Sequence, residues 1–442
     1  MNMSWIGVLP DGWETHRLKY NYREIDYRSQ TGDEELLTVS HITGVTPRSQ
    51  KNVTMFKAES NIGLKICEPD DIVVNTMWAW MAAMGVSAYS GIVSPSYGVY
   101  RPSNEIYNPK YLNYLLRTNE YKVEYMRRST GIRPSRLRLY PEKFLEIRFI
   151  LPPRDEQDQI VCYLDWKVSQ INKLINAKQR QNKLLQEQID VFTNQVINNS
   201  LKKMRLKQIV EIIRDLIVRD NTLEYTPIGV LNRGRGVFHK KRLRGEDLGS
   251  SEFFLIEPNT LMFSGQFAWE GAVAITTEKE KGCIASHRYY TVQGIYSVCK
   301  TEYLWAFFRT TLGITILSKC SHGAAGRNKP LNFNELLNEY IPLPAIDIQE
   351  KITNHVKLYL KNRELMTLYE TLLAEYRSRL VSDVVMGKLD VRGVVVPNYE
   401  AAEDEGIVGD MEGNKGDGEY GDDDEYNDFY DYDDGETIDS GV

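Results

Sequence analysis

The residues of this chain that could perform chemistry are few and widely spaced. Its six histidines, at 16, 41, 239, 287, 322 and 355, show no metal-binding spacing, and its five cysteines form no CxxC pair. Ser94 and Ser286 have no histidine and aspartate placed beside them, so we interpret them as turn hydroxyls rather than nucleophiles. The segment GAAGRNKP at 323–330 lacks the Gly-Lys-Ser/Thr of a phosphate-binding NTPase loop. The sequence therefore predicts no catalytic site, no metal site and no cofactor in this chain.

Arginine and lysine side chains are clustered instead, several of them on glycine-rich segments, as is typical of proteins that bind a polyanion. Both residue types contact phosphates, and arginine or asparagine also reads base edges through paired hydrogen bonds. The alternative interpretation is a solvated basic surface without a ligand. The residues that we predict to contact DNA are Arg127, Arg128, Arg133, Arg136, Arg233, Arg235, Lys240, Lys241, Arg242, Arg244, Arg288, Arg327, Asn328 and Lys329.

The net charge of −7 conceals an uneven distribution along the chain. Residues 400–442 contain 18 acidic residues and one lysine, whereas residues 1–399 have a net charge of +10. The body of the protein is therefore basic, which suits a polyanionic partner. Low hydrophobicity and high charge predict that the acidic tail is disordered. It either keeps the chain soluble or competes with DNA for the basic surface.

An internal duplication organises the body of the chain. EPDDIVVNTMWAW at 68–80 aligns with EPNTLMFSGQFAW at 257–269, an offset of 189. The offset is 192 between GIVSPSY at 91–97 and CIASHRY at 283–289, and between LPPRDEQ at 151–157 and LPAIDIQ at 343–349. Short apolar runs and turn signals in each copy favour an α+β fold. The matched Trp80 and Trp269 could stack on bases, although core positions are the favoured interpretation.

A long segment that repeats apolar residues at spacings of three and four follows each copy, which predicts two long helices with coiled-coil seams. Asp155 is the expected N-cap of the first helix. Asp347 with Glu350 resembles a capping box for the second, and Gly387 should end it. The seam residues are Leu164, Val168, Ile171, Ile175, Leu185, Ile189 and Phe192 in the first helix, and Val356, Met366, Leu373, Leu380 and Val384 in the second.

A single such helix would expose its apolar seam to water, so we expect the two helices to pair with each other. Antiparallel pairing would give two similar globular domains separated by a coiled coil, in a pseudo-two-fold arrangement. The alternatives are that each helix packs on its own domain or mediates homodimerisation. Arg363, Thr367, Glu370 and Arg377 are polar where the first helix has seam positions, so the two seams are not equivalent.

With these features assembled, the chain resembles the specificity subunit of type I restriction-modification enzymes. The resemblance is carried by VVNTMWAWMAAMGVSAYSGIVSPSYGVY (73–100), LMFSGQFAW (261–269), GAAGRNKPLN (323–332), the two LPP/LPA segments and VVMGKLDVRG (384–393). It implies target-recognition domains at 1–150 and 204–343. It also implies helical spacers at 151–203 and 344–393, followed here by an acidic tail at 394–442 that departs from the family pattern.

The resemblance further implies a non-catalytic, cytoplasmic subunit that binds double-stranded DNA at a bipartite, asymmetric site. Two modification subunits, which carry S-adenosylmethionine, and restriction subunits, which use ATP and Mg²⁺, would assemble on it. A coiled-coil scaffold that never binds DNA remains an alternative. So does a methyltransferase or nuclease with a degenerate site. Salt dependence separates a DNA-binding protein from a scaffold, because phosphate contacts make affinity fall steeply with salt.

If the acidic tail competes with DNA, truncation after Arg392 should raise the affinity for non-specific DNA at low salt, because an intramolecular polyanion would be removed from the basic surface. The measurement is a titration of labelled duplex at low ionic strength. Unchanged affinity would reject the competition and leave solubility as the role of the tail.

Overall fold

The computed structural model describes residues 5–50, 60–131, 137–249, 251–323 and 329–400. It divides into two compact units, which we call unit 1 (1–176 and 369–442) and unit 2 (177–368). Unlike the segments predicted from the sequence, each unit includes part of both long helices. No helix in the described parts of the chain is long and apolar enough to cross a membrane.

Unit 1 is an α+β domain. Its strands are β1 (Glu14–Arg17), β2 (Tyr22–Ile25), β3 (Leu37–Ser40), β4 (Gly44–Pro47), β5 (Lys65–Cys67), β6 (Ile72–Asn75), β7 (Met84–Val86), β8 (Gly91–Val93), β9 (Tyr97–Pro102) and β10 (Arg148–Leu151). Its short helices are α1 (Pro109–Leu116), α2 (Asn119–Arg128) and α3 (Pro141–Leu145), and α4 (Arg154–Asn199) starts here and ends in unit 2.

Unit 2 repeats this pattern. Its strands are β11 (Lys203–Arg205), β12 (Val210–Ile212), β13 (Asp215–Leu216), β14 (Glu224–Tyr225), β15 (Ile228–Leu231), β16 (Gly236–His239), β17 (Leu243–Arg244), β18 (Phe253–Leu255), β19 (Leu261–Ser264), β20 (Val273–Ile275), β21 (Ile284–Ser286), β22 (Tyr289–Gly294) and β23 (Tyr340–Pro342). Its helices are α5 (Thr301–Arg309), α6 (Thr311–Lys319) and α7 (Phe333–Asn338), and α8 (Ile346–Val385) starts here and ends in unit 1.

The central antiparallel sheets of the two units have the same strand order and register. The order is β2-β9-β6-β7 in unit 1 and β12-β22-β19-β20 in unit 2. Ile72 pairs with Tyr100 in the first sheet, and Leu261 pairs with Val292 in the second. Leu261 follows Ile72 by 189 residues, and Val292 follows Tyr100 by 192 residues, which are the offsets that align the two halves of the sequence. The duplication therefore extends to the hydrogen-bonding register of the sheets.

Helices pack against each sheet, and the helix α1 of unit 1 starts at a capped position. In unit 1 the side chain of Asn108 accepts hydrogen bonds from the backbone of Lys110 and Tyr111, and Pro109 occupies the first turn of α1. Tyr111 and Leu115 of α1 are fully buried in the core of the unit. In unit 2 the core includes the equivalent Tyr303 of α5. Apolar burial on this scale is the main stabilising contribution to each unit.

The long helices begin two residues earlier than the sequence predicted, so Asp155 is not an N-cap and Asp347 with Glu350 is not a capping box. The first backbone bonds of α4 and α8 return to the carbonyls of Pro153 and Ala345. Asp155 and Asp347 lie in the first turn instead, where a carboxylate favourably faces the positive end of the helix dipole. A C-terminal glycine was predicted correctly, since Gly387 has the left-handed φ of 74° just after α8.

A buried glutamine fastens the start of each long helix to its own unit. The Gln157 amide donates to the carbonyls of Ile106 and Pro152, both at 2.9 Å, and accepts from the backbone of Asn108 at 2.7 Å. Gln349 makes the equivalent bonds in unit 2: its amide donates to the carbonyls of Val298 and Pro344 and accepts from the backbone of Lys300. A buried amide is tolerated here because its donors and acceptor are satisfied.

Most of the predicted seam residues are buried. In α4 and α8 the buried members are Leu164, Val168, Ile171, Ile175, Ile189, Val356, Met366, Leu380 and Val384, while Leu185, Phe192 and Leu373 are half-buried. Tyr369 and Tyr376 also fit the periodicity of the second seam, but they are exposed. Their phenol rings have a polar end, which makes exposure less costly than for leucine.

The two long helices run antiparallel in unit 2. The Tyr359 hydroxyl of α8 lies 3.2 Å from the Gln186 Oε1 of α4, and the rings of His355 and Phe192 are 5.7 Å apart. Residue numbers therefore rise along one helix as they fall along the other. Within unit 1, the other parts of the same helices contribute Leu164 and Leu380 to a single hydrophobic core.

Residues 386–400, which we call the strap, return along the first part of α4 in unit 1. Val391 is buried, and Gln159 donates to the carbonyls of Val391 and Val394 at 3.0 and 2.7 Å. The strap reaches Glu400, whose carbonyl accepts from the Ser169 hydroxyl at 3.4 Å. The acidic tail beyond Glu400 lies outside the described residues.

Truncation after Arg392 should destabilise unit 1, whereas truncation after Glu400 should not. The shorter chain loses the core contacts of Val394 and Val396 and the bond from Gln159 to Val394, together worth roughly 2–3 kcal/mol. Urea unfolding of the two truncated chains beside the full chain measures this difference. Equal midpoints for both truncations would show that the strap does not stabilise the unit. The chain truncated after Glu400 is therefore the better variant for testing the role of the acidic tail.

Candidate nucleic-acid interface

A hairpin loop occupies the same place in each copy. The loop 41–43 joins β3 to β4 in unit 1, and the loop 232–235 joins β15 to β16 in unit 2. The first loop is His41-Ile42-Thr43, and the second, one residue longer, is Asn232-Arg233-Gly234-Arg235. The two copies therefore use one framework to display loops that differ in length, charge and hydrogen-bonding capacity.

A matched arginine holds each of these loops. The Arg117 guanidinium of unit 1 donates to the Ile42 carbonyl at 3.0 Å, and that of Arg309 in unit 2 donates to the Gly234 carbonyl at 2.7 Å. Arg309 also stacks over the Trp305 ring at 4.6 Å from its centroid. Burial lowers the pKa of Arg309 and raises the pKa of the nearby Asp190 carboxyl, and each charge partly offsets the shift of the other.

The loop of unit 2 is tightly constrained by further bonds. The Gly234 amide donates to the Gly271 carbonyl at 2.8 Å, and the Asn232 side chain donates to Glu270 at 2.5 Å. Arg363 of α8, one of the polar residues that interrupt the second seam, donates to the Arg235 carbonyl at 3.5 Å. A side chain on Gly234 would collide with Arg309, since its Cβ would lie 2.0 Å from the guanidinium.

Beside this loop lies the turn that contains Trp269. The turn Ala268–Glu270 is a single 3-10 turn, and the Lys329 ammonium lies over the half-buried Trp269 ring at 4.7 Å from its centroid. The equivalent Trp80 of unit 1 donates to the Met77 carbonyl and stacks on Trp78 at 6.0 Å. Both matched tryptophans are therefore half-buried, between the core position favoured from the sequence and the open position that base stacking needs.

The remaining predicted DNA contacts of unit 2 lie on its surface. Lys240, Lys241, Arg242 and Arg244 are exposed, and Arg288 is half-buried. Arg242 lies 3.8 Å from Glu224, and Arg244 lies 3.7 Å from Glu246. Exposed pairs of this kind are weak, so these guanidinium groups can exchange a carboxylate for a phosphate at little cost.

In unit 1 the predicted arginines are less available. Arg127 is exposed at 3.4 Å from Glu124, but Arg128 is largely buried, at 2.6 Å from the same carboxylate. Glu124 itself is buried, so an arginine partner is needed to compensate its charge. The structure thus gives Arg128 a structural role, and its contact with DNA stays a prediction. Arg133, Arg136, Arg327 and Asn328 lie outside the described residues.

Among the described residues, no group of three histidine, cysteine or acidic side chains is placed to hold a metal ion. The Ser94 hydroxyl accepts from the backbone of Ser96 at 3.4 Å, which is the turn role predicted for it. The sequence interpretation missed the roles of Gln157, Gln349, Arg117 and Arg309. Each pair is matched at the offset of 192, and this repetition was the available signal.

Comparison with protein-family models finds one match in this chain. Residues 198–370 match the family described as the type I restriction modification DNA specificity domain. A search of curated proteins found no significant match.

Comparison with solved structures supports the fold. A chain from the structure named "Structural basis underlying complex assembly and conformational transition of the type I R-M system" aligns with a TM-score of 0.54 and 14% identity, over 86% of this chain and 100% of that chain. The HsdS subunit from Thermoanaerobacter tengcongensis aligns with a TM-score of 0.43 and 16% identity, over 86% and 98% of the chains. The type I S subunit from M. genitalium aligns with a TM-score of 0.42 and 10% identity, over 89% of this chain and 98% of that chain. The first of these shows the shared fold.

Replacing Lys241 with alanine should weaken DNA binding about equally on all sequences and reduce the steepness of the salt dependence by about one unit, if the ammonium neutralises a phosphate. Lys173→Ala provides the control, because it removes an equally exposed lysine from the long helix α4. Duplex titrations between low and physiological salt measure both slopes. An unchanged slope for Lys241→Ala, or an equal loss in the control, would argue against this contact.

Proposed function

We propose that the whole chain reads a bipartite, asymmetric DNA site for a type I restriction-modification complex, because residues 198–370 match the DNA specificity domain of that family. On this proposal the chain is a DNA sequence-recognition subunit. The matched sheets of units 1 and 2 would each read one half of the site.

The observation that carries this proposal is the pair of matched loops. Arg117 and Arg309 hold equivalent hairpin loops on sheets of the same strand order. The loop sequences differ, so we expect the two surfaces to prefer different bases and the site to be asymmetric. Dimeric DNA-binding proteins read two half-sites by the same duplication of surfaces, but with identical sequences.

The long helices would set the gap between the half-sites. The helix α4 has 46 residues and α8 has 40, which correspond to about 69 and 60 Å of helix. Because each helix contributes to both units, neither unit can shift along the helices without breaking its own core. A gap of constant length in the recognised DNA is the expected consequence.

The exposed face of α8 is a suitable docking surface for partner subunits. Leu358, Leu365 and Leu368 are exposed in unit 2, and Leu372 and Tyr376 are exposed on the part of α8 in unit 1. Leu358, Leu365 and Leu372 are spaced by seven, so they share one side of the helix. Apolar surface of this kind favours a protein partner.

We assign this role to modification subunits, which would bind S-adenosylmethionine and methylate adenine. Restriction subunits that use ATP and Mg²⁺ would complete the complex. On this proposal the chain itself is non-catalytic, and its contribution is to select the site and to position the subunits that react with it. A scaffold that never binds DNA is the competing function, and it predicts no log-linear loss of affinity with salt.

Lengthening both helices by seven residues, after Lys178 in α4 and after Met366 in α8, should change the gap while leaving the bases of both half-sites unchanged. Seven residues add about 10 Å and keep the seam in phase. The readout is a single-molecule map of methylated adenines in the host, compared with the unaltered chain and with its deletion. A motif that survives deletion would refute the proposed function. Altered half-site bases would refute the spacer role.

A further inference from the structure

We propose that Arg233 is a specificity-determining residue that reads a guanine in the half-site bound by unit 2. The inference rests on the proposed function, because it assigns one base contact within that DNA interface. It begins from the backbone of Arg233, which has φ 56° and ψ 32°. A left-handed conformation costs a residue with a side chain of this kind free energy, and persists only where the surroundings impose it.

The surroundings of Arg233 impose this conformation from both sides. Its neighbour Gly234 bonds through its amide to Gly271 and through its carbonyl to Arg309. On the other side Asn232 bonds to Glu270. The loop therefore directs one long side chain outward from a backbone that is already fixed. Fixing the geometry before binding lowers the entropy cost of forming directional hydrogen bonds to a base.

Arg233 also differs from Arg235, Arg242 and Arg244 in having no partner. Among the described residues its exposed guanidinium makes no hydrogen bond or ion pair, whereas Arg242 and Arg244 are near carboxylates and Arg235 bonds to the Asn232 carbonyl. The paired arginines suit adjustable phosphate contacts. An unpaired guanidinium on a fixed loop suits a geometrically demanding contact.

The chemistry of the guanidinium selects the base. It has donors in a fixed fork and no acceptor, and guanine presents two acceptors, O6 and N7, side by side in the major groove. No arginine is present in the shorter loop 41–43 of unit 1, so this guanine contact belongs to one half-site only. The remaining strain at Arg233 is then part of the device that points the fork at the base.

The test compares Arg233→Gly, Arg233→Lys and the control Arg379→Ala in the full chain, purified with any partners that accompany it. Glycine removes the guanidinium and adopts the left-handed backbone without strain, so this variant should fold at least as well as the original chain. Lysine keeps the charge but not the fork. Arg379 is an exposed arginine of α8 in unit 1. Its replacement by alanine removes the same charge at a position away from the loop 232–235.

Each protein selects from a random-sequence duplex library, which is then sequenced. We expect Arg233→Gly and Arg233→Lys to lose roughly 10- to 100-fold of the preference for guanine at one position of one half-site, with the other half unchanged. Arg379→Ala should keep the whole motif. At the identified position, 7-deazaguanine, which lacks the N7 acceptor, should weaken binding of the original chain but not of Arg233→Gly.

Specific outcomes overturn the proposal. The proposal is wrong if Arg233→Gly retains the full motif, or if Arg233→Lys retains the full preference for guanine. If Arg233→Gly lost the same amount of affinity on all sequences and kept its base preference, Arg233 would be a phosphate contact instead. If the original chain selects no motif at all, the proposed function itself fails, which distinguishes the two failures.

Discussion

The burial of one apolar side of each long helix is the constraint on which the rest of the molecule depends. Neither α4 nor α8 can leave its seam in water, and each unit solves this by taking part of both helices into its own core. The buried glutamines Gln157 and Gln349 then fix where each helix leaves its sheet domain. A helix that is part of two cores cannot slide relative to either, so the helices suit a role in measurement. The same requirement explains why the copies have retained matched residues at the point where each helix starts.

On this framework the recognition surface is free to vary. The sheets, their register and the arginines that hold the hairpin loops are repeated, whereas the loops themselves differ. On the proposed function, stability therefore resides in the matched residues and specificity in the unmatched ones. In unit 2 the two roles meet at the loop 232–235, where Arg309 and Arg363 hold the backbone and leave Arg233 projecting. Because Arg363 belongs to α8, the recognition loop and the long helix share a direct hydrogen bond.

The sequence was sufficient to predict the α+β class, the duplication, and both long helices to within two residues at their starts. These features rest on periodicity and on repetition, which are visible without coordinates. Other features depend on contacts between distant segments. Gln157 bonds to the Ile106 carbonyl, 51 residues away, and burial of Glu124, which commits Arg128, depends on the packing of α2. The strained backbone of Arg233 had no signal in residue type, since left-handed conformations are ordinarily predicted at glycine. The helix starts differed because the first backbone bonds return to the carbonyls of Pro153 and Ala345, two residues before the predicted caps Asp155 and Asp347.

The strap and the shared helices also bear on how the protein is made. Unit 2 is a continuous stretch of chain, whereas unit 1 needs residues from both ends, including Leu380 and Val391 in its core. As the nascent chain leaves the ribosome, the N-terminal unit must wait with an open apolar surface until Leu380 and Val391 are synthesised. Unit 2 has all of its residues available earlier. Premature termination between the copies would release a half-built N-terminal unit, which is a substrate for chaperones and proteases rather than a smaller functional protein.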